Sequence, residues 1–279
     1  MTALVGPACI VVDARENELE LCRGRGAVRE YASLLERLVR TVTSEPDSTL
    51  ILEEASVHQP GYRLATITLG HCHSRRALLT AGTHGDEPSG VEALCAWLEQ
   101  QRYRPWLDRW QFVLLPCLNP WGYELDVREN HEGKDLNREF NAPHPVAEIR
   151  FVHARLQQPF DLVIDLHDDR DSLGYYLYQN VDAGAEAVGR QILDRVGKVA
   201  SINVNSEIEG RAADRGVIDG PCNPDRLAWW PLAAYAQTHG VKRVLTLEAS
   251  GRHPIEARVQ AHLTAIEAAI EYCTRLDHE

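Results

Sequence analysis

The chain reads as α/β: one domain, an α/β/α sandwich around a mixed, mainly parallel central sheet. Three observations carry that expectation. Apolar runs of strand length alternate with segments whose apolar residues recur at helical spacing, so helices cover both faces of the sheet. Histidines and acids stand at the ends of several of these runs, where open α/β sheets keep their sites. The first strands lie close enough in sequence to pair as an antiparallel hairpin, which makes the sheet mixed. With 279 residues, 44% of them hydrophobic, the chain can bury a sizeable core as one unit.

Residues 28–42 place Tyr31, Leu34, Leu35 and Leu38 at helical spacing, a covering helix. Residues 50–52, 63–69 and 77–81 read as strands. His71-Cys72-His73 falls between two of them; an H-x-H invites a metal, but Gly70 and Ser74 mark an exposed hairpin turn. A helix is expected over 91–101, a strand over 112–118, a helix over 146–157, a buried strand over 160–166 and helical spacing over 183–198. A strand over 243–247 follows, and Pro254 opens a last amphipathic helix towards Leu276, with Ile255, Val259, Leu263, Ile266 and Ile270 as its apolar stripe. The whole of 1–279 forms a single catalytic domain: N-terminal helix and edge strands over 1–75, a motif-bearing core over 76–250, and the C-terminal helix over 251–279. No internal repeat, low-complexity segment or linker interrupts it.

The chemistry begins at His84-Gly85-Asp86-Glu87, just past the apolar strand that Gly82 breaks. A His and a Glu three apart point the same way where the chain turns into a helix, and Pro88 and Ser89 stand where a first helical turn would be. Alone, HxxE suits a solvated helix N-terminus equally well. His167, at the end of the apolar run that starts at Phe160, would reach the same sheet edge. Two His and one carboxylate leave a position open for water, the ligand set of a hydrolytic zinc site; the alternative is a core-edge histidine hydrogen-bonded by Asp165 or Asp168. The stretch Arg128 to Phe140 is a polar loop bracketed by arginines, which composition alone would call solvated surface. A further apolar strand ends in Glu248. Together, two His, two Glu and two Arg are the inventory for metal-assisted hydrolysis of an amide beside a carboxylate.

These segments resemble the ordered motifs of the zinc carboxypeptidase superfamily. The family pattern runs HxxE, then R-x-N-x-x-G-x-D-L-N-R-x-F, then a strand ending in a third ligand His, then a strand ending in the catalytic Glu. All four occur here in that order, over residues 84 to 248. The resemblance implies that His84, Glu87 and His167 hold one zinc ion per chain. It implies that Glu248 takes the proton from the zinc-activated water and passes it to the leaving amine, and that Arg128 stabilises the oxyanion. Asn137 and Arg138 would grip a substrate carboxylate, with Asp168, the acid after the last ligand, counted among the substrate contacts. Asp135 would hydrogen-bond a ligand His from behind.

Three branches share this machinery: carboxypeptidases, murein-peptide amidases, and deacylases of the succinylglutamate desuccinylase and aspartoacylase kind. The stretch from Ala81 to Glu87 resembles the amidase and deacylase branches; the spacing from Arg128 to Asn137 resembles the peptidase and amidase form. A peptidase or peptide amidase acting on a small peptide is the leading expectation, with N-acyl amino acid deacylation as the alternative. One departure from the carboxypeptidases stands out. Their mobile loop tyrosine has no counterpart in the stretch 220–230, and Tyr235 falls in a helical segment where it reads as packing. Trp229 and Trp230 suit core packing or the wall of a specificity pocket.

A net charge of −12 argues against nucleic acid and an anionic membrane as partners. No run of 18 or more apolar residues is present, and the N-terminus lacks the basic region of a signal peptide. Seven scattered cysteines, several in apolar segments, read as reduced and buried, so the cytoplasm is the expected compartment. Oligomeric state is not encoded in any pattern found.

Overall fold

A computed structural model describes residues 10–11, 28–45, 48–54, 62–71, 75–181, 185–220 and 227–276. In chain order the elements are β1 (Ile10–Val11), α1 (Tyr31–Thr43), β2 (Ser48–Glu54), β3 (Arg63–Leu69), β4 (Arg75–Ala81), α2 (Pro88–Glu99), β5 (Trp110–Leu115), α3 (Pro120–Leu125), α4 (Ala147–Leu156), β6 (Leu162–Asp169), β7 (Tyr176–Val181), α5 (Gly189–Val196), β8 (Glu207–Ile208), β9 (Arg211–Ala212), β10 (Val217–Asp219), α6 (Leu232–Thr238), β11 (Arg243–Ser250) and α7 (Ile255–Leu276). Nine strands form one sheet in the order β1-β2-β3-β5-β4-β6-β11-β7-β10. Its centre, β5-β4-β6-β11, is parallel throughout, while β2, β3 and β7 run against their inner neighbours. The sheet is mixed and mainly parallel, as the alternation of strands and helices requires.

The central strands are apolar on both sides because helices cover both faces. One layer holds α1, α2, α5 and α7, which pack on one another; the other holds α6, which lies on β11, β6 and β7. Joined to α6 is α4, through the stacked rings of His153 and Tyr235, 3.9 Å between centroids. The core is continuous, from Leu34 and Leu38 of α1 through Leu78, Leu114, Ile164 and Leu245 of the sheet to Ile266 and Ile270 of α7. Cys95, Cys117 and Cys273 are buried within it, and Cys9, Cys22, Cys72 and Cys222 lie outside the described residues. No described helix is long and apolar enough to cross a membrane.

Several expectations are corrected. The expected hairpin forms between β2 and β3, with Ser48 opposite Leu69. The link from β3 to β4 is no hairpin: β5 lies between them, pairing with β3 through Ile67 to Leu69 and with β4 along its length. Buried from Ala77 to Ala81, β4 has a parallel partner on each side, β5 and β6, and β3 lies one position further out. His71 is exposed there, and Cys72 and His73 lie outside the described residues. The helix expected over 183–198 is only α5, which starts at Gly189, whose amide donates to the Gln179 side chain at 3.0 Å. Unforeseen were β7, β10, the β8–β9 ribbon and α3, although α3 carries a local signal: Asn119 caps it, accepting from Gly122 N at 2.9 Å, and Pro120 occupies its first turn.

Helix α2 lies close on the sheet at Gly90, where an added Cβ would stand 2.7 Å from Leu166 Cβ and 3.0 Å from Leu166 O. Gly90→Ala gains about 1 kcal/mol of helix propensity but loses about 1–3 kcal/mol to overpacking against a rigid strand. The expected outcome is a lower melting temperature, by about 2–4 °C for each kcal/mol lost, read by a thermal melt.

Candidate metal centre and cleft

Strand β4 ends at Ala81 and α2 begins at Pro88, so His84 and Glu87 occupy the turn between them at the C-terminal edge of the sheet. Gly85 lets this turn pass against α3: a Cβ there would stand 1.9 Å from the Gly122 carbonyl carbon. Neighbouring β6 delivers His167 to the same edge. His84 Nδ1 and His167 Nδ1 each lie 2.7 Å from one oxygen of Glu87, Oε1 and Oε2 respectively. All three residues are buried, and their ligand atoms lie within 4.8 Å of one another.

The outer nitrogens of both rings are held by carboxylates. His84 Nε2 is 3.0 Å from Asp135 Oδ1, and His167 Nε2 is 2.8 Å from Asp165 Oδ2. Asp165 is itself fixed by the Thr80 hydroxyl at 2.6 Å. This is the carboxylate–histidine arrangement that orients metal-binding imidazoles and turns the other nitrogen inward. Burial would raise Glu87, but His167 and His84 hold its carboxyl far below the ordinary range. Burial likewise opposes ionisation of Asp135, and His84 and Arg128 overcome it. With neutral imidazoles, three carboxylates face one guanidinium, Arg128, and the two negative charges left over match a divalent cation. The donor set therefore fits a metal.

Glu248 lies in register with His167 on the parallel neighbour β11 and opposite Tyr176 on β7. The described residues give its carboxylate no hydrogen-bond partner. Burial pushes that carboxyl well above the ordinary range; His167 opposes the shift, and Glu87, Asp169 and Asp168 add to it. A cleft of about 880 Å³ opens over these groups.

The polar loop that composition would leave in solvent folds over the cleft instead. Arg128 donates from Nη1 to Glu87 Oε1 and from Nε to Asp135 Oδ2, both at 3.1 Å. Asp135 also caps the short turn Leu136–Arg138, accepting from Asn137 N at 3.0 Å. Asn137 is anchored through Oδ1, which accepts from Leu232 N at 2.9 Å, so its amide NH2 remains for the cleft. Arg138 stacks on Trp229 at 3.7 Å and has no carboxylate partner among the described residues. Its pKa is lowered by burial and by Arg128, with Asp135 opposing. An arginine held half-buried without a counter-ion is ready for an anion.

Asp168, expected among the substrate contacts, has both oxygens engaged within the protein. Oδ1 accepts from Ser89 Oγ at 2.5 Å, while Oδ2 accepts from Ser89 N at 3.1 Å and pairs with Arg258 Nη1 at 2.8 Å. Its own amide donates to Glu87 Oε2 at 3.1 Å. The paired tryptophans part ways: Trp229 is 43% exposed in the cleft wall, and Trp230 packs against the core. Tyr235 packs as expected, between His153 and His239. Sequence reasoning missed Tyr176, Tyr178 and Arg258, which also line the cleft. The first two carry a signal, since residues two apart on a strand share a face; Arg258, inside a helical stripe, carries none.

The fold is shared with a candidate metallopeptidase from Shewanella baltica OS155, at TM-score 0.72 and 21% identity, covering 88% of this chain and 92% of that one. A metallo-carboxypeptidase from Burkholderia cenocepacia aligns at TM-score 0.65 and 17% identity, covering 88% and 69%. The likeness to both is one of fold, an α/β domain with a mixed central sheet. Murein peptide amidase A of Escherichia coli (strain K12) is 48% identical over 65 residues, 23% of this chain and 25% of the amidase, so the match spans about a quarter of that relative. The succinylglutamate desuccinylase/aspartoacylase catalytic domain matches residues 73–272, and the chain belongs to that family.

Because Asp135 and Asp165 aim the two imidazoles, Asp135→Asn and Asp165→Asn are each expected to weaken metal binding by about 10- to 100-fold. A competition titration against a chromogenic chelator reads that affinity directly, with circular dichroism confirming the fold.

Proposed function

We propose that the protein is a zinc-dependent hydrolase that cleaves an amide bond beside a free carboxylate, acting on small peptides as a metallocarboxypeptidase or peptide amidase. The observation that carries this reading is the placement of Glu248, a carboxylate without a hydrogen-bond partner among the described residues, in register with His167 beside the His84–Glu87–His167 trio. One zinc ion, held by those three residues, would supply Lewis acidity toward the scissile carbonyl and lower the pKa of water from about 15.7 towards roughly 7.

The remaining roles belong to the chain. Arg138, with the amide of Asn137, receives the substrate carboxylate; a planar fork backed by Trp229 fixes its orientation. Glu248 takes a proton from the attacking water and returns it to the leaving nitrogen. Arg128 donates to the oxyanion that develops at the scissile carbonyl, and Asp135 keeps its guanidinium in place. Asp168 serves from behind, its amide holding Glu87 and its carboxylate holding Ser89.

Family membership over residues 73–272 favours a second reading, deacylation of N-acyl amino acids. The same residues would act, with Arg138 and Asn137 holding the amino acid's own carboxylate. A cytoplasmic setting suits the buried thiols: burial pushes Cys95 up to about 12, so it stays protonated and inert.

A mass-spectrometric turnover screen with zinc-loaded protein separates the readings, using short peptides, γ-D-glutamyl-diaminopimelate peptides and N-succinyl or N-acetyl amino acids. Loss of a C-terminal residue or of diaminopimelate supports the leading reading; release of amino acid from acylated substrates alone moves the protein to the deacylases. Glu248→Gln is expected to lower kcat by about 10²- to 10⁴-fold with zinc stoichiometry unchanged; near-normal turnover would remove its role as base. Arg128→Ala is expected to cost about 10²- to 10³-fold in kcat. Chelation should abolish turnover of every substrate, and added zinc should restore it.

A further inference from the structure

The turn that carries His84 and Glu87 is loosely held by its own backbone. Among the described residues, its amides donate to two carbonyls, Gly85 N to Arg128 O and Glu87 N to His84 O, both at 3.4 Å. Such lengths lie at the weak end for N–H···O bonds. A stronger tie comes from elsewhere in the chain. Arg29, two positions ahead of α1, donates from Nη1 to Gly85 O at 3.1 Å and to Tyr123 O of α3 at 2.8 Å. Its Nη2 pairs with Asp126 Oδ1 at 2.6 Å, and its guanidinium lies 5.0 Å from the centre of the Tyr123 ring.

The arm that bears Arg29 is itself clamped to α3. Val28 N and Arg29 N donate to Glu124 O at 2.8 and 3.3 Å, and Tyr31 N donates to Glu124 Oε1 at 3.0 Å. Fastening the arm therefore does not require the bond to Gly85. Neutralising Asp126 does not require it either, since that carboxylate is 40% exposed to water while the Arg29 side chain is only 20% exposed. What the bond adds is a charged donor on the carbonyl between the two ligand residues, and charge-assisted bonds are about twice as strong as neutral ones. The direction of that carbonyl governs how His84 and Glu87 present their donor atoms. Arg29 lies outside the family match over 73–272 and in none of the four motif segments.

We propose that Arg29 is a positioning residue for the metal centre: by holding the Gly85 carbonyl it fixes the spacing of His84 and Glu87 and so raises the trio's affinity for a divalent cation. The inference rests on the reading of His84, Glu87 and His167 as metal ligands. It makes the arm ahead of α1 a working part of that centre. Without the guanidinium the turn keeps only its two long bonds, and its donors must be ordered at the expense of metal binding.

The test measures zinc affinity of the full chain by competition with a chromogenic chelator, with no substrate present. Arg29→Met keeps the aliphatic stem and loses every donor; it should weaken zinc by about 10-fold. Arg29→Lys, which keeps the charge but not the fork, should give a smaller loss, and it carries the test where Arg29→Met does not fold. Asp126→Asn breaks the ion pair and leaves both carbonyl bonds, so affinity should stay within about twofold. At saturating zinc, kcat and KM of Arg29→Met should return to within about twofold of the native values, because the residue acts through the metal and touches no substrate. The proposal is overturned if the Arg29 variants bind zinc as tightly as the native chain, or if Asp126→Asn weakens zinc as much as Arg29→Met does. It is also overturned if KM stays raised at saturating zinc, which would make Arg29 a substrate contact. The two readings fail separately. Weakened zinc binding with no turnover of any substrate would sink the hydrolase reading and leave Arg29 standing, whereas turnover with zinc affinity unchanged would do the reverse.

Discussion

Everything at the C-terminal edge of the sheet is organised around one buried carboxylate, Glu87. It receives His84 Nδ1, His167 Nδ1, the Arg128 guanidinium and the amide of Asp168, all within 3.1 Å. Ionising a carboxyl at this depth would cost several kcal/mol without such partners. The four partners come from three pieces of chain: the β4–α2 turn itself, the end of β6, and the long loop after α3. Glu87 thus pins the loop after α3 to the edge where β4 and β6 already pair. A divalent cation at the same place would take over much of that charge compensation.

Asp135 extends the network outward. One side chain orients His84, steadies Arg128 and caps the turn that presents Asn137 and Arg138. Donor geometry at the trio and the placement of Asn137 and Arg138 are therefore mechanically linked. The loop needs no regular secondary structure to be well placed, because its charges are satisfied one by one against fixed partners. That explains how a segment with almost no apolar residues is held over a cleft.

Much of this was legible before any coordinates. The alternating apolar runs gave the sandwich and its mixed sheet, and the four motif segments fall together as their resemblance implied. Boundaries and pairings were less legible. The β3–β4 link looked like a hairpin because adjacency in sequence is the usual guide, but β5 pairs between the two strands. Strand β7, short and polar at alternate positions, lacks the apolar run that betrayed the central strands, so the tyrosines beside Glu248 went unnoticed.

The sequence by itself supplied the residues proposed as ligands, base, oxyanion arginine and carboxylate-binding pair, because a motif resemblance is carried by particular side chains at fixed local spacing. It also determined the fold class, because periodicity is a local property. Only the tertiary structure decided what Asp168 and Arg258 do. They are 90 positions apart and meet because α7 packs over the edge where β6 ends; nothing in local spacing reports that. It also decided that Trp229 backs Arg138 while Trp230 joins the core, and that Tyr235 stays in packing. Such assignments depend on which layer a side chain faces, and a layer exists only once distant segments have been stacked.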